Sequence, residues 1–336
     1  VYKLVRPLLF SLDPERAHDI ALASLDLAAR LGLQKPPQSS QQIAPRTVMG
    51  LSFPNPVGLA AGLDKNAAHI PAMAALGFGF LEVGTITPRP QPGNPKPRLF
   101  RLPEAEALIN RMGFNNQGVD VLLSNIRSCK HHGILGINIG KNVDTPIDRA
   151  AEDYLNAFRR VQGLASYVTV NISSPNTQNL RKLQGAAELK ALLGALARLR
   201  EECGRSQGRH IPIAVKIAPD LSEAELDDIA DILLSEKMDA VIATNTTLSR
   251  DGVSGLRHSQ ETGGLSGRPV RERSLAVIKA LQKRLEGKLP IIGVGGISDA
   301  DSAKAALDAG ASLIQIYTGL IYRGPTLIDE ICRALV

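Results

Sequence analysis

Tyr167-Val-Thr-Val-Asn-Ile-Ser-Ser-Pro-Asn176 decides how this chain is to be read. Tyr167 to Val170 is a short β-branched and aromatic run of the kind a buried strand uses, and at Asn171 it breaks into a polar loop that carries Ser174 and Asn176. A parallel strand ending in this way sets Ser174 and the two asparagines at one end of a sheet, where α/β enzymes keep their chemistry. Taken alone, Asn171 to Asn176 is also an ordinary turn, because Ser, Pro and Asn are turn residues. The surrounding chain decides between the two.

Seven further runs resemble Tyr167 to Val170: Pro56 to Ala61, Phe80 to Gly84, Ile134 to Ile139, Ile211 to Ile217, Ala240 to Ala243, Ile291 to Val294 and Leu313 to Ile316. Segments of helical periodicity alternate with them, among them Ala187 to Cys203, Ser222 to Lys237, Val270 to Glu286 and Ser298 to Ala309. Eight strand-then-helix repeats without a second sequence domain predict an α/β fold of the closed parallel (β/α)8 barrel type, the TIM barrel, over residues 47–336.

Residues 1–33 read as two short helices ahead of the barrel. The first carries Leu4, Val5, Leu8, Leu9 and Leu12; the second starts at Asp13-Pro14-Glu15, a side-chain cap followed by proline at the first helical position, and stops at Gly32. Ile20, Leu22, Leu25, Leu27 and Leu31 spread over more than one narrow stripe, so the pair must either bury against the barrel or meet lipid. The residues leave that choice open. Residues 34–46, polar and proline-rich, read as a linker. The chain begins with Val1 rather than Met, so an incomplete or edited terminus is expected.

Of the 336 residues, 44% are hydrophobic and 21% charged, a soluble globular composition. The net charge of +6 favours anionic ligands or an anionic membrane surface, but Lys and Arg are scattered, and nucleic acid is not indicated. Cys129, Cys203 and Cys332 are odd in number and far apart, which predicts neither disulfides nor a metal site and fits a reducing compartment. No apolar run reaches the roughly 20 residues of a spanning helix, and no cleavable signal is evident.

In a barrel of this type the chemistry sits where the strands end. Those ends are Gly62 with Lys65, Thr85, Asn138, Asn171, Lys216, Thr244 with Asn245, Gly295 with Gly296, and Tyr317 with Thr318. Loops are polar in any protein, but eight ends in Gly, Lys, Asn or Thr are not a generic surface mixture. The glycines after the seventh strand, with a helix start at Ser298-Asp299, and Tyr317-Thr318-Gly319 after the eighth, predict a phosphate cradle. Lys216, inside a buried run, offers a fixed cation beside an electron-accepting ring, which suits flavin mononucleotide, FMN. Asn110, Asn171, Asn176 and Asn245 each carry a donor and an acceptor and would complement a planar ring bearing C=O and N–H groups, such as a pyrimidine. Lys65 offers a charge for an anionic substituent.

Gly58-Leu-Ala-Ala-Gly-Leu-Asp-Lys65, the proline-rich Thr87 to Arg101, Asn110-Arg-Met-Gly-Phe-Asn115, Asn171 to Asn176, Val215-Lys-Ile-Ala-Pro-Asp220 and Thr262-Gly-Gly-Leu-Ser-Gly-Arg-Pro269 together closely resemble dihydroorotate dehydrogenase of the quinone-linked, membrane-associated class 2. The resemblance covers the whole chain. It implies FMN held by Ala61, Gly62, Lys65, Thr85, Asn138, Asn171, Lys216, Thr244, Gly267, Gly296, Tyr317 and Thr318. For dihydroorotate it implies Lys65, Asn110, Arg111, Met112, Gly113, Phe114, Asn171, Asn176, Asn245 and Thr246, with Ser174 as base where the soluble classes carry cysteine. It further implies that the two N-terminal helices face the membrane and admit ubiquinone or menaquinone through a tunnel near His18 and Arg101, which resolves the open choice towards lipid. A monomer, peripheral at the cytoplasmic face of the cell membrane and serving pyrimidine (UMP) biosynthesis, is the corresponding expectation.

The expected chemistry has two halves: Ser174 takes a proton from the ring carbon beside a carbonyl while the adjacent carbon gives hydride to flavin N5, and a quinone then takes the two electrons. Serine is a poor base at its own pKa and needs a relay or concerted hydride departure. Two rival readings share the cradle. Another flavin barrel enzyme acting on a different pyrimidine would keep its colour on addition of dihydroorotate, and a non-catalytic phosphate-binding barrel would be colourless.

Overall fold

Runs buried on both faces can satisfy their backbones only by pairing with one another, and all eight do so. In chain order they are β1 Val57–Leu59, β2 Phe80–Ile86, β3 Ile134–Ile139, β4 Tyr167–Asn171, β5 Ile213–Ile217, β6 Ala240–Ala243, β7 Ile291–Val294 and β8 Ala311–Ile316. Apart from Ile134 and Ser312 every residue in them is buried. Each strand pairs in parallel with its neighbours in sequence, and β8 pairs with β1, so the sheet closes into a barrel. The structure, a computed structural model, describes residues 2–33, 43–129 and 131–335.

Helices cover the outside of the barrel much as their periodicity predicts, at Ala186–Gln207, Glu223–Ser235, Arg271–Leu285 and Ala300–Asp308. Ser222 caps its helix reciprocally with Glu225, and Asp299 does so with Ser302. Inside the barrel, Phe80, Tyr167, Ile242, Ile292 and Leu313 form a separate apolar cluster. A hairpin of Arg46–Val48 and Leu51–Phe53 plugs one end, with Phe53 edge-on to Phe80, the first residue of β2, at 5.1 Å. The opposite end, where the strands finish, stays open to function.

Over that open end lies an element that local pattern does not predict, a three-stranded antiparallel sheet of Leu99–Leu102, Ala107–Asn110 and Gly264–Gly267. Its third strand comes from after β6, so the pairing is invisible to any short window of sequence.

The N-terminal helices are α1 Tyr2–Ser11 and α2 Pro14–Arg30. Asp13 Oδ1 accepts from the backbone N–H of Glu15 and Arg16 at 3.0 Å, the cap expected there. Only Ala17 and Leu22 of the pair are buried. Polar clamps attach it instead: Arg98 to Glu15 at 2.6 Å, His69 to Asp26 at 2.7 Å, Arg101 to the carbonyls of Phe10 and Leu12, and Arg6 to the carbonyl of Tyr322. Residues 34–42 of the expected linker lie outside the described residues. Its last part is not linker: Ile43 packs on the core and Arg46 opens the plugging hairpin.

Candidate active site

In-register pairing sets Asn171 of β4 level with Lys216 of β5, so both side chains leave the barrel wall on the same side. They open into a single cavity of about 1440 Å³, its mouth included, that runs from the strand ends under the antiparallel sheet to Glu15 and His18 of α2. Chemistry at the barrel and a route to the helix pair thus share one space.

Ser174 lines this cavity and is 6% exposed. Its Oγ accepts from the backbone N–H of Asn176 at 3.3 Å, and among the described residues no basic side chain hydrogen-bonds to it. Around it the asparagines are linked: Asn176 Nδ2 donates to Asn110 Oδ1 at 3.1 Å, and Asn245 Nδ2 donates to Asn171 Oδ1 at 3.3 Å and to Ser173 Oγ at 2.9 Å. Thr246 Oγ1, buried in the same wall, has no partner among the described residues. Buried polar groups are normally paired, so this oxygen is free to bond a ligand in the cavity. Phe114, also in the wall, holds a left-handed φ of 55°, a conformation a non-glycine residue keeps only where its surroundings impose it.

Two lysines supply the positive charge. Lys216 is 6% exposed; burial lowers its pKa, and Glu82 partly restores it. Burial lowers Lys65 to about 8, against the opposing pull of Glu15. Among the described residues neither ammonium has a hydrogen-bonded or ion-paired partner. Burial, with Lys65 and His69 adding to it, brings His18 down to about 4, so its imidazole is neutral at pH 7.

The glycines after β7 differ in their reason from the one the sequence suggests. Gly295 and Gly296 have φ of 123° and 71°, and a Cβ on Gly296 would lie 2.4 Å from Arg271 Cα. Their backbone conformation and the close approach of a helix require glycine, before any ligand is considered. The helix start at Ser298-Asp299 is not an open cradle either, because the Asp299 carboxylate already accepts from Ser302 N at 2.7 Å. The free donors are elsewhere: among the described residues nothing accepts from the backbone N–H groups of Gly296, Thr318 and Gly319. These N–H groups on one wall and the unpartnered Lys216 ammonium on the same cavity fit a phosphorylated, electron-accepting ring such as FMN.

The cavity brings together Ala61, Gly62, Lys65, Thr85, Lys216, Thr244, Gly267, Gly296, Tyr317 and Thr318 with Asn110, Met112, Gly113, Phe114, Asn171, Asn176, Asn245, Thr246, Ser174 and His18. Three expected residues do not line it. The Arg111 guanidinium turns away to Glu261 and the Pro97 carbonyl, and stacks on Phe100. Arg101 is spent on clamping α1 and covering Phe10. Asn138 stands behind the wall, bonded to Thr85. Sequence reasoning passed over Glu82 and Gln315, buried polar residues of β2 and β8; the signal available was a lone acid between Leu81 and Val83 in an apolar run.

Comparison with known proteins agrees with this geometry. The sequence model of the family described as dihydroorotate dehydrogenase matches residues 43–336. The chain belongs to the dihydroorotate dehydrogenase family. Among its relatives, dihydroorotate dehydrogenase (quinone) of Methylobacillus flagellatus is 59% identical over 100% of this chain and 99% of the relative. The Aromatoleum aromaticum protein of the same name is 60% identical over 99% and 95%. The crystal structure of an Eimeria tenella DHODH in complex with ferulenol superposes with a TM-score of 0.90 at 40% identity, covering 96% of this chain and 90% of that one. As a member of the quinone-linked branch of the dihydroorotate dehydrogenase family, the chain is an oxidoreductase.

Proposed function

We propose that this protein oxidises (S)-dihydroorotate to orotate with FMN as its resident cofactor and passes the electrons to a membrane quinone. The observation that carries the proposal is the convergence, in one cavity, of the Ser174 hydroxyl, the linked asparagines and two buried unpartnered lysines. Bound FMN would supply the two-electron acceptor, taking hydride at its N5.

The chain's own residues do the rest. Asn110, Asn171, Asn176 and Asn245 offer amide donors and acceptors to the C=O and N–H edge of the substrate ring. Lys65 meets its carboxylate. Ser174 Oγ takes the proton from the ring carbon beside the carbonyl. With no basic partner hydrogen-bonded to it, the hydroxyl must release its own proton to solvent in the open cavity as it accepts the one from carbon, in step with hydride departure. Lys216 holds positive charge beside the electrons that arrive. Residues 1–33 serve as the platform from which quinone enters past His18, since the cavity reaches that side chain. No helix among the described residues is long and apolar enough to cross a membrane, which is compatible with attachment from one side.

An anaerobic titration tests the reading: the purified protein is yellow, dihydroorotate bleaches it, and quinone restores the colour. A colourless protein, or flavin that dihydroorotate leaves oxidised, overturns it.

A further inference from the structure

Within β2, among the buried polar side chains of the barrel interior, stands a carboxylate. Glu82 is fully buried, and four donors converge on it. Asn138 Nδ2 reaches Oε1 at 2.8 Å; the hydroxyls of Tyr167 and Thr169, at 2.9 and 3.1 Å, and Gln315 Nε2, at 2.8 Å, reach Oε2. Among the described residues no Lys or Arg forms an ion pair with it, and the cation whose charge it supports is the buried Lys216.

An ionised carboxylate only accepts. Asn138 therefore has to turn its NH2 to Glu82, which leaves its Oδ1 to accept from the Thr85 hydroxyl at 2.6 Å. The Thr85 oxygen then accepts from Asn171 Nδ2 at 3.0 Å, and Asn171 Oδ1 accepts from Ser173 Oγ at 3.1 Å and Asn245 Nδ2 at 3.3 Å. Every donor along this chain points towards Glu82, and Thr85, Asn171 and Asn245 line the cavity.

We propose that Glu82 is a positioning residue: its charge fixes the sense of the Asn138–Thr85 link behind the cavity wall, and it is the buried counter-charge of Lys216. It thereby sets which way the Thr85 hydroxyl in the cavity wall points, and with it the support that Asn171 receives beyond the backbone N–H of Ser173, and how much of the Lys216 field reaches the flavin. The inference rests on the FMN and dihydroorotate reading above. Glu82→Gln keeps the shape, but its amide donates as well as accepts, so Asn138 loses its enforced orientation and Lys216 its compensation.

The test uses the flavin-loaded full chain and reads three quantities: the midpoint potential of bound FMN, the Kd for FMN and the KM for dihydroorotate. Glu82→Gln is expected to shift the potential to more positive values and to raise Kd and KM by about tenfold, what one well-made hydrogen bond is worth. Asn138→Leu cuts the chain at its first link but keeps the charge, so Kd and KM rise while the potential stays. Tyr167→Phe removes one donor and touches neither function, so all three hold. Wild-type potential and KM in Glu82→Gln, or a Tyr167→Phe change as large as that of Glu82→Gln, overturns the proposal. Should Glu82→Gln fail to fold, unchanged Kd and KM in Asn138→Leu overturns it. The potential and Kd need no substrate, so their result stands apart from whether dihydroorotate bleaches the wild type.

Discussion

The barrel and the helix pair ahead of it handle apolar residues in opposite ways. Among the described residues nine large apolar side chains are exposed, and seven of them, Leu4, Val5, Leu8, Ile20, Leu27, Leu31 and Leu33, belong to the helix pair and the residues just after it. The barrel strands expose none. Fully burying one such side chain stabilises by about 1.5–3 kcal/mol, so a pair that served only to complete the core would turn its leucines inward. It instead keeps two residues buried and holds on through Glu15, Asp26 and the backbone carbonyls that Arg101 caps. One region is held by burial; the other is attached by polar contacts and leaves its apolar face exposed.

The sharpest way to break this contrast is to remove residues 1–33. Quinone turnover and liposome binding should be lost, while dihydroorotate still bleaches the flavin; surviving quinone kinetics would reduce the helices to packing. A gentler version exchanges Leu4, Leu8 and Leu27 for Glu. From the burial figure, each should weaken liposome partition by roughly tenfold or more, with no change in flavin reduction, read by vesicle co-sedimentation.

The barrel side has its own pH signature. Lys65 loses its proton near pH 8, so the KM for dihydroorotate should rise roughly fivefold between about pH 8 and 9, following the protonated fraction. Lys65→Met should show a high KM without that rise. The sign for stability is opposite: burial of the charged lysine weighs on the free fold below about pH 8, and the burden lifts as pH climbs towards the unfolded value of 10.5. The smallest effect belongs to a single cap. Asp13→Ala should destabilise α2 by about 1 kcal/mol, seen by hydrogen exchange in residues 14–30, with flavin reduction unchanged.

How much of this was legible beforehand follows from the range of the forces involved. The eight strands were readable because a strand buried on both faces writes itself as a continuous apolar run. The α2 cap was readable because Asp13, Pro14 and Glu15 act within one turn. The antiparallel sheet was not, since Gly264–Gly267 meets Ala107–Asn110 across most of the barrel. The family resemblance places Arg101 and Arg111 near the ligands, yet their long side chains follow partners, Phe10 and Glu261, that only the folded chain supplies. Glu82 was passed over because an isolated acid in an apolar run has no meaning until Asn138, Tyr167, Thr169 and Gln315 close around it.

The central claim is that two half-reactions live at the two ends of one cavity, with Ser174 serving only the first. Stopped-flow mixing of Ser174→Ala under anaerobic conditions tests it directly. The account predicts retained yellow cofactor, flavin reduction by dihydroorotate slowed roughly 10²-fold or more, as for loss of a positioned base, and, after chemical reduction, reoxidation by quinone at the wild-type rate. Reduction by dihydroorotate at the wild-type rate would contradict it.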